Sequence, residues 1–127
     1  MNDVQCGTKG KSLGRLSTHV LDTAAGRPAS GIPYTLFRAA TGREFVCTGE
    51  TNEAGRTDAP LLTSEQFEPG PYELVFAIGE YFSENDMSSQ GTPFLDEIVL
   101  RFTLSAHEQY HVPLLVSPWS YSMYRGS

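Results

Sequence analysis

Apolar and polar residues alternate with a period of two along most of this chain, the pattern of strands that bury one face. Ile98–Leu104 shows it plainly: Ile98, Leu100, Phe102 and Leu104 fall on one side, with Val99, Arg101 and Thr103 on the other. Tyr72–Ile78 repeats it with Tyr72, Leu74, Phe76 and Ile78. Leu16–Asp22 sets Leu16, Thr18 and Val20 against Ser17, His19 and Leu21. Ile32–Arg38 sets Ile32, Tyr34 and Leu36 against Thr35 and Phe37, and its Pro33 marks a strand start or an edge. Glu44–Thr51, a short segment from Arg56, Tyr110–Ser117 and Trp119–Arg125 complete the strand set. Gly- and Pro-bearing stretches separate them, at Ala25–Pro28, Thr41-Gly42, Asn52–Gly55, Pro69–Pro71 and Ser117-Pro118. Helix is predicted only as one turn over Thr63–Phe67, capped by Thr63 or Ser64, and as a short helix over Glu80–Asp86. Seven or eight short strands with turns between them predict an all-β, antiparallel sandwich.

Composition narrows the function more than the fold. At 127 residues the chain makes one domain, with residues 1–14 a polar, flexible extension and 15–127 the folded part. The net charge of −6 lacks the basic footprint that nucleic acid or an anionic membrane surface requires. No apolar run approaches the ~20 residues of a membrane span, and the first residues have no secretory h-region, which predicts a cytoplasmic protein. Cys6 and Cys47 make no disulfide framework and read as reduced thiols.

The densest chemistry lies in the stretch from His107 to Ser127, which holds two of the three histidines and three of the six tyrosines. His107-Glu108-Gln109-Tyr110-His111 matches the H-E-x-x-H pattern of zinc proteases, which works only on a helix. Pro113 and the strand-like Val112–Val116 oppose a helix there, and in a strand residues four apart lie ~13 Å from each other, too far to share an ion. Face-counting is more informative. Tyr110, Val112, Leu114 and Val116 form the apolar side of their strand, so His111 points outward with Pro113, Leu115 and Ser117. His19 points outward from the first strand by the same reasoning. In the last strand Trp119, Tyr121 and Met123 share a face, leaving Ser120, Ser122 and Tyr124 on the other. Polar, titratable groups on faces that also carry Leu21, Pro113 and Leu115 suit a binding groove or an interface. On spacing alone each of these histidines, Arg56 after the turn Gly55, and Ser127 reads equally well as a surface residue.

Three segments together resemble a known family: LSTHVLD over Leu16–Asp22, Gly55-Arg56, and YHVPLLVSPWSYSMYRGS over Tyr110–Ser127. They are similar to the 5-hydroxyisourate hydrolases, transthyretin-related enzymes of urate breakdown, over roughly residues 16–127. The resemblance implies a transthyretin-like sandwich of two four-stranded sheets with one short helix. It implies a homotetramer with active sites at the dimer–dimer interface, a small-molecule substrate, and no metal or other cofactor. It implies His19, Arg56, His111 and Ser127 as catalytic residues, with His19, Arg56, Tyr124 and Arg125 binding substrate. Met123 stands where the family commonly has Thr, on the face turned from the site. The chief alternative is a non-enzymatic, transthyretin-like carrier of a small aromatic ligand, which needs no such set of histidines. A β-sandwich interaction module and a zinc protease are further alternatives.

Overall fold

The alternating segments assemble into two four-stranded sheets packed on one another. The computed structural model describes residues 14–84 and 92–126. The strands are β1 (Arg15–Asp22), β2 (Arg27–Pro28), β3 (Pro33–Arg38), β4 (Glu44–Glu50), β5 (Gly70–Ala77), β6 (Glu97–Leu104), β7 (Gln109–Val116) and β8 (Tyr121–Met123), with one helix, α1 (Ile78–Glu84). One sheet has the order β2-β1-β7-β8 and the other β4-β3-β5-β6. Every pair is antiparallel except β1 with β7, which run parallel over their full length, Arg15 opposite Gln109 to Asp22 opposite Val116. That pair exists because the two strands come from opposite ends of the chain and need no hairpin between them.

The inward faces are those the alternation predicts. Leu16, Val20, Val112, Leu114 and Val116 from the first sheet meet Tyr34, Leu36, Leu74, Phe76, Ile98 and Leu100 from the second, all buried. Thr18 is the polar member of that layer, and its hydroxyl donates to the Val112 carbonyl at 2.7 Å, so it carries no unmet group into the core. The outward face of the first sheet is left for chemistry.

Local differences from the sequence pattern have local causes. Arg27–Pro28, read as turn punctuation, forms the two-residue edge strand β2, which a Pro can occupy at an edge. Thr63–Phe67 is a turn rather than a helical one, and the Gln66 side chain caps Thr63 rather than the reverse. The helix begins at Ile78, two residues before Glu80, so Ile78 packs into the core as the first residue of α1 and not as the last of β5. Gly14, counted with the extension, is buried against Phe67; a Cβ there would lie 2.4 Å from the Phe67 ring. Residues 1–13 with Cys6, the predicted helix end at residues 85 and 86, and Ser127 lie outside the described residues. Among the described residues no helix is long and apolar enough to cross a membrane.

Asp22, at the end of β1, anchors the helix to the first sheet. It is buried and accepts the Ala24 and Ala25 backbone N–H groups at 2.9 Å each and the Tyr81 hydroxyl at 2.7 Å. Burial and the adjacent carboxylate push the Tyr81 phenol up to about 12. Tyr81→Phe leaves a buried carboxylate oxygen short of a donor, so a loss of about 1–3 kcal/mol is expected in urea denaturation, with an unchanged m-value. A variant as stable as the parent would show that this link does not hold the helix.

Candidate active site

The parallel register of β1 and β7 places their outward residues in rows across the sheet. Ser17 lies opposite His111, and His19 opposite Pro113. Beyond β7, Leu114 pairs with Met123 and His111 bridges Gly126, one continuous register in which Tyr124 stands beside Pro113. Beyond β1, His19 bridges Arg56. Two neighbouring rows result: Arg56, His19, Pro113, Tyr124, and next to it Ser17, His111, Gly126. Adjacent members of a row are ~4.8 Å apart in backbone position. His19, Arg56, His111 and Tyr124, predicted from four separate stretches, therefore share one face.

Arg56 is held there by its loop. Gly55 takes φ +75°, and a Cβ on it would meet the Val20 carbonyl oxygen at 2.4 Å, so only glycine fits. That close approach lets the Val20 N–H donate to the Gly55 carbonyl at 2.8 Å, fastening the loop to β1. Asn52 closes the loop from the other side. Its side-chain oxygen accepts the Ala54 and Arg56 N–H groups at 2.9 and 3.1 Å, and its own N–H donates to the Arg56 carbonyl at 2.8 Å. Asn-x-x-Gly was legible as a turn; its role in fixing Arg56 was not.

Each histidine has one ring nitrogen engaged. His19 Nε2 lies 2.9 Å from the Ala54 carbonyl oxygen, which can only accept, so Nε2 carries the hydrogen and Nδ1 of the neutral ring is a bare acceptor. His111 Nδ1 is hydrogen-bonded to the Ser17 hydroxyl at 2.9 Å. Ser17 sits on the same strand face as His19, but the register that brings it to His111, 94 residues away, is not readable from sequence. Both imidazoles are held below their ordinary range. For His19 the causes are burial and then the Arg56 charge, opposed by the Ala54 hydrogen bond. For His111 they are burial, Arg56 and then His19. A positive charge beside each ring disfavours a second one, so both rings are neutral near pH 7. A cavity of about 240 Å³ opens on this face, lined by Arg15, Ser17, Arg56, Gln109 and His111.

Other predicted residues lie elsewhere. Alternation turns Arg125 to the inward side, where its guanidinium lies 4.3 Å from the Tyr110 ring centroid and donates to Glu108 at 2.8 Å. Within the subunit it braces the tail and is not brought to the His19–His111 face. Gly126 donates its N–H to the His111 carbonyl at 2.6 Å, with its backbone flat on the His111 ring; a Cβ would lie 3.2 Å from Cδ2. The tail is thus tied down beside His111 as far as Gly126. Met123 lies opposite Leu114 and packs against the core, on the inward side as face-counting predicts. His107 packs at a tilt against Phe67, ring centroids 5.1 Å apart, and His111 sits in the strand β7, so the H-E-x-x-H residues do not share a helix face. Among the described residues no three His, Cys, Asp or Glu side chains converge as a metal set would.

Comparison with known proteins agrees with this fold. The HIUase/Transthyretin family profile matches residues 16–126. A 5-hydroxyisourate hydrolase of Ralstonia nicotianae is 51% identical over 117 residues, covering 91% of this chain and all of the relative. The crystal structure of an (S)-allantoin synthase superposes with a TM-score of 0.83 at 44% identity, covering 90% of this chain and 44% of that longer one. Transthyretin from Sparus aurata superposes with a TM-score of 0.77 at 27% identity, covering 88% of this chain and 96% of its own.

The electrostatics of the site are testable by NMR. The His19 and His111 ring signals are expected to titrate with midpoints below about 6.5, and Arg56→Gln to move both midpoints upward, because it removes a charge that opposes the imidazolium. Midpoints that stay in place in the variant would rule out Arg56 as a cause of the depression.

Proposed function

The chain belongs to the HIUase/Transthyretin family, and we propose that it hydrolyses 5-hydroxyisourate, opening a cyclic amide in the breakdown of urate. The observation that carries this reading is the convergence of two neutral imidazoles and one guanidinium on one outward sheet face, with a cavity at His111 and Arg56. Hydrolysis of a cyclic amide needs a base for water, a charge to stabilise the oxyanion, and a proton for the departing nitrogen. His111 and Arg56 supply these, and His19 places the water.

His111 takes the role of base. With Nδ1 engaged by Ser17, its Nε2 has no protein partner among the described residues and is free to face the cavity. It removes a proton from water as the water oxygen bonds to the ring carbonyl carbon. Arg56, whose planar fork keeps its charge, stabilises the oxygen that becomes negative. The C–N bond then breaks, the ring nitrogen takes the proton held by the imidazolium, and a carboxylate is left on the opened product. His19, fixed as the Nε2–H tautomer, orients the water through Nδ1. Tyr124 hydrogen-bonds the substrate ring, and Ser127, following the anchored Gly126, orients the histidine pair. The depressed imidazoles keep the base in its working form at neutral pH; a carrier that binds an aromatic ligand has no use for that.

The same face favours assembly. Leu21 and Leu115 remain half-exposed and lie opposite one another beside the site. A homotetramer in which this face meets a second copy would cover that apolar patch and close the cavity from water, as the family resemblance implies.

Two measurements test the reading. 5-Hydroxyisourate made in situ by oxidising urate is expected to decay faster in the ultraviolet when the protein is added, and His111→Asn to lower kcat by about two to four orders of magnitude. Decay at the spontaneous rate with the parent protein would favour the carrier. Deleting residues 124–127 is expected to abolish turnover while light scattering still reports the mass of a tetramer. Normal turnover by the shortened chain would remove the tail from the mechanism.

A further inference from the structure

We propose that Arg15 is a second substrate-binding cation, which with Arg56 grips the oxygens of the substrate at the polar end of the cavity. The proposal rests on the hydrolase reading and adds a residue to it. Arg15 is the first residue of β1, and alternation puts its side chain on the face of Ser17, His19 and Leu21. Across the strand it pairs with Gln109, as Ser17 does with His111 and Leu21 with Leu115. The outward face thus runs from a cationic, amide-bearing end at Arg15 and Gln109, through the Ser17–His111 row, to an aliphatic end at Leu21 and Leu115. The Arg15 row precedes the His111 row by two residues, ~6.6 Å along the strand. That is one small ring's reach from the imidazole.

Two concavities meet there. The 240 Å³ cavity over His111 and a second of about 270 Å³, bounded on its far side by Thr57, Asp58, Ala59 and Pro60, share Arg15, Ser17 and Arg56. Both arginines therefore border the same open space.

Their charges are also unspent. Arg38 is paired with Glu68, Arg43 and Arg101 with Glu73, and Arg125 with Glu108. Among the described residues neither Arg15 nor Arg56 meets a carboxylate. Glu108 is paired with Arg125, and Asp58, which lines the second concavity, is bonded to the neutral Asn52 amide at 3.0 Å and keeps its charge, so two guanidinium groups face one carboxylate there. In a chain of net charge −6, two unpaired guanidinium groups on one concavity make a local positive site that attracts an anion. The expected ligand is a polar ring rich in carbonyl oxygens that gains a carboxylate when it opens. Arg56 sits at the reacting carbonyl. Arg15, one row away, binds oxygens remote from it, so its contact is equal in the ground state and the transition state.

That position predicts a specific kinetic signature. The Arg15 N–H donates to the Glu108 carbonyl at 3.0 Å in any variant, and the exposed side chain can be changed without opening the core. Steady-state assays with 5-hydroxyisourate on the full chain, at low and raised ionic strength, are to compare the parent with Arg15→Lys, Arg15→Gln and Arg15→Glu. Arg15→Gln is expected to raise KM about ten- to hundredfold with kcat nearly unchanged, the effect of losing one charge-assisted hydrogen bond made equally throughout. Arg15→Lys should recover part of that loss and Arg15→Glu should exceed it. Salt should raise the parent KM more steeply than that of Arg15→Gln. An active parent with the same KM in Arg15→Gln and Arg15→Glu, or a fall in kcat at constant KM, would overturn the assignment of Arg15 alone. An inactive parent would overturn the hydrolase reading beneath it.

Discussion

The parallel pairing of β1 with β7 is the constraint on which the rest of the site depends. Residues 94 apart in sequence become neighbours through it, and Ser17 reaches His111 only in that register. A slip of one residue in either strand would turn that strand's side chains through the sheet, sending His19 into the core and Val20 to solvent for β1, or His111 inward and Leu114 outward for β7. The apolar inward face forbids that slip. Core burial therefore fixes the register of the outward face: the free energy that packs Leu16, Val20, Val112 and Leu114 also holds the imidazoles opposite their partners.

The electrostatics follow from the same geometry. Arg56 reaches the face through a loop clamped to β1 by Gly55 and Asn52, and its charge acts on both rings at once. One cation thus serves two purposes. It adds to burial, the larger cause, in opposing protonation of both imidazoles, and it leaves a fixed positive charge on the same face. Without that cation, burial would still hold both rings below their ordinary range, though less far below it.

Much of this was readable from the chain alone. Period-two alternation identified the long strands and the inward sides of β1, β5, β6 and β7, and it placed His19, His111 and Tyr124 outward. What alternation cannot supply is pairing. Nothing in Leu16–Asp22 says that its neighbour is β7, nor that the pair runs parallel, so Ser17 and Gln109 carried no signal. The partners of Arg125 were silent for a related reason. It sits in a tetrapeptide characteristic of the family, yet strict alternation along the tail turns it inward to Glu108 and Tyr110. The two-residue β2 and the earlier start of α1 escaped because short elements are decided by neighbours, through the Asp22–Tyr81 link and the edge of β1, rather than by their own composition.

Arg56 and the tail are both secured through main-chain groups: Val20 to Gly55, Asn52 to Arg56, His111 to Gly126. Bonds of that kind are indifferent to which side chains the participating residues carry, glycines apart. The scaffold and the reagents are therefore separately heritable. A descendant could exchange the histidines or the arginine and keep every strap in place, losing a reaction without losing a shape. A transthyretin that superposes at 27% identity is what such a separation permits. In this architecture a shared outline between two proteins carries little information about shared chemistry, which resides in a handful of outward side chains.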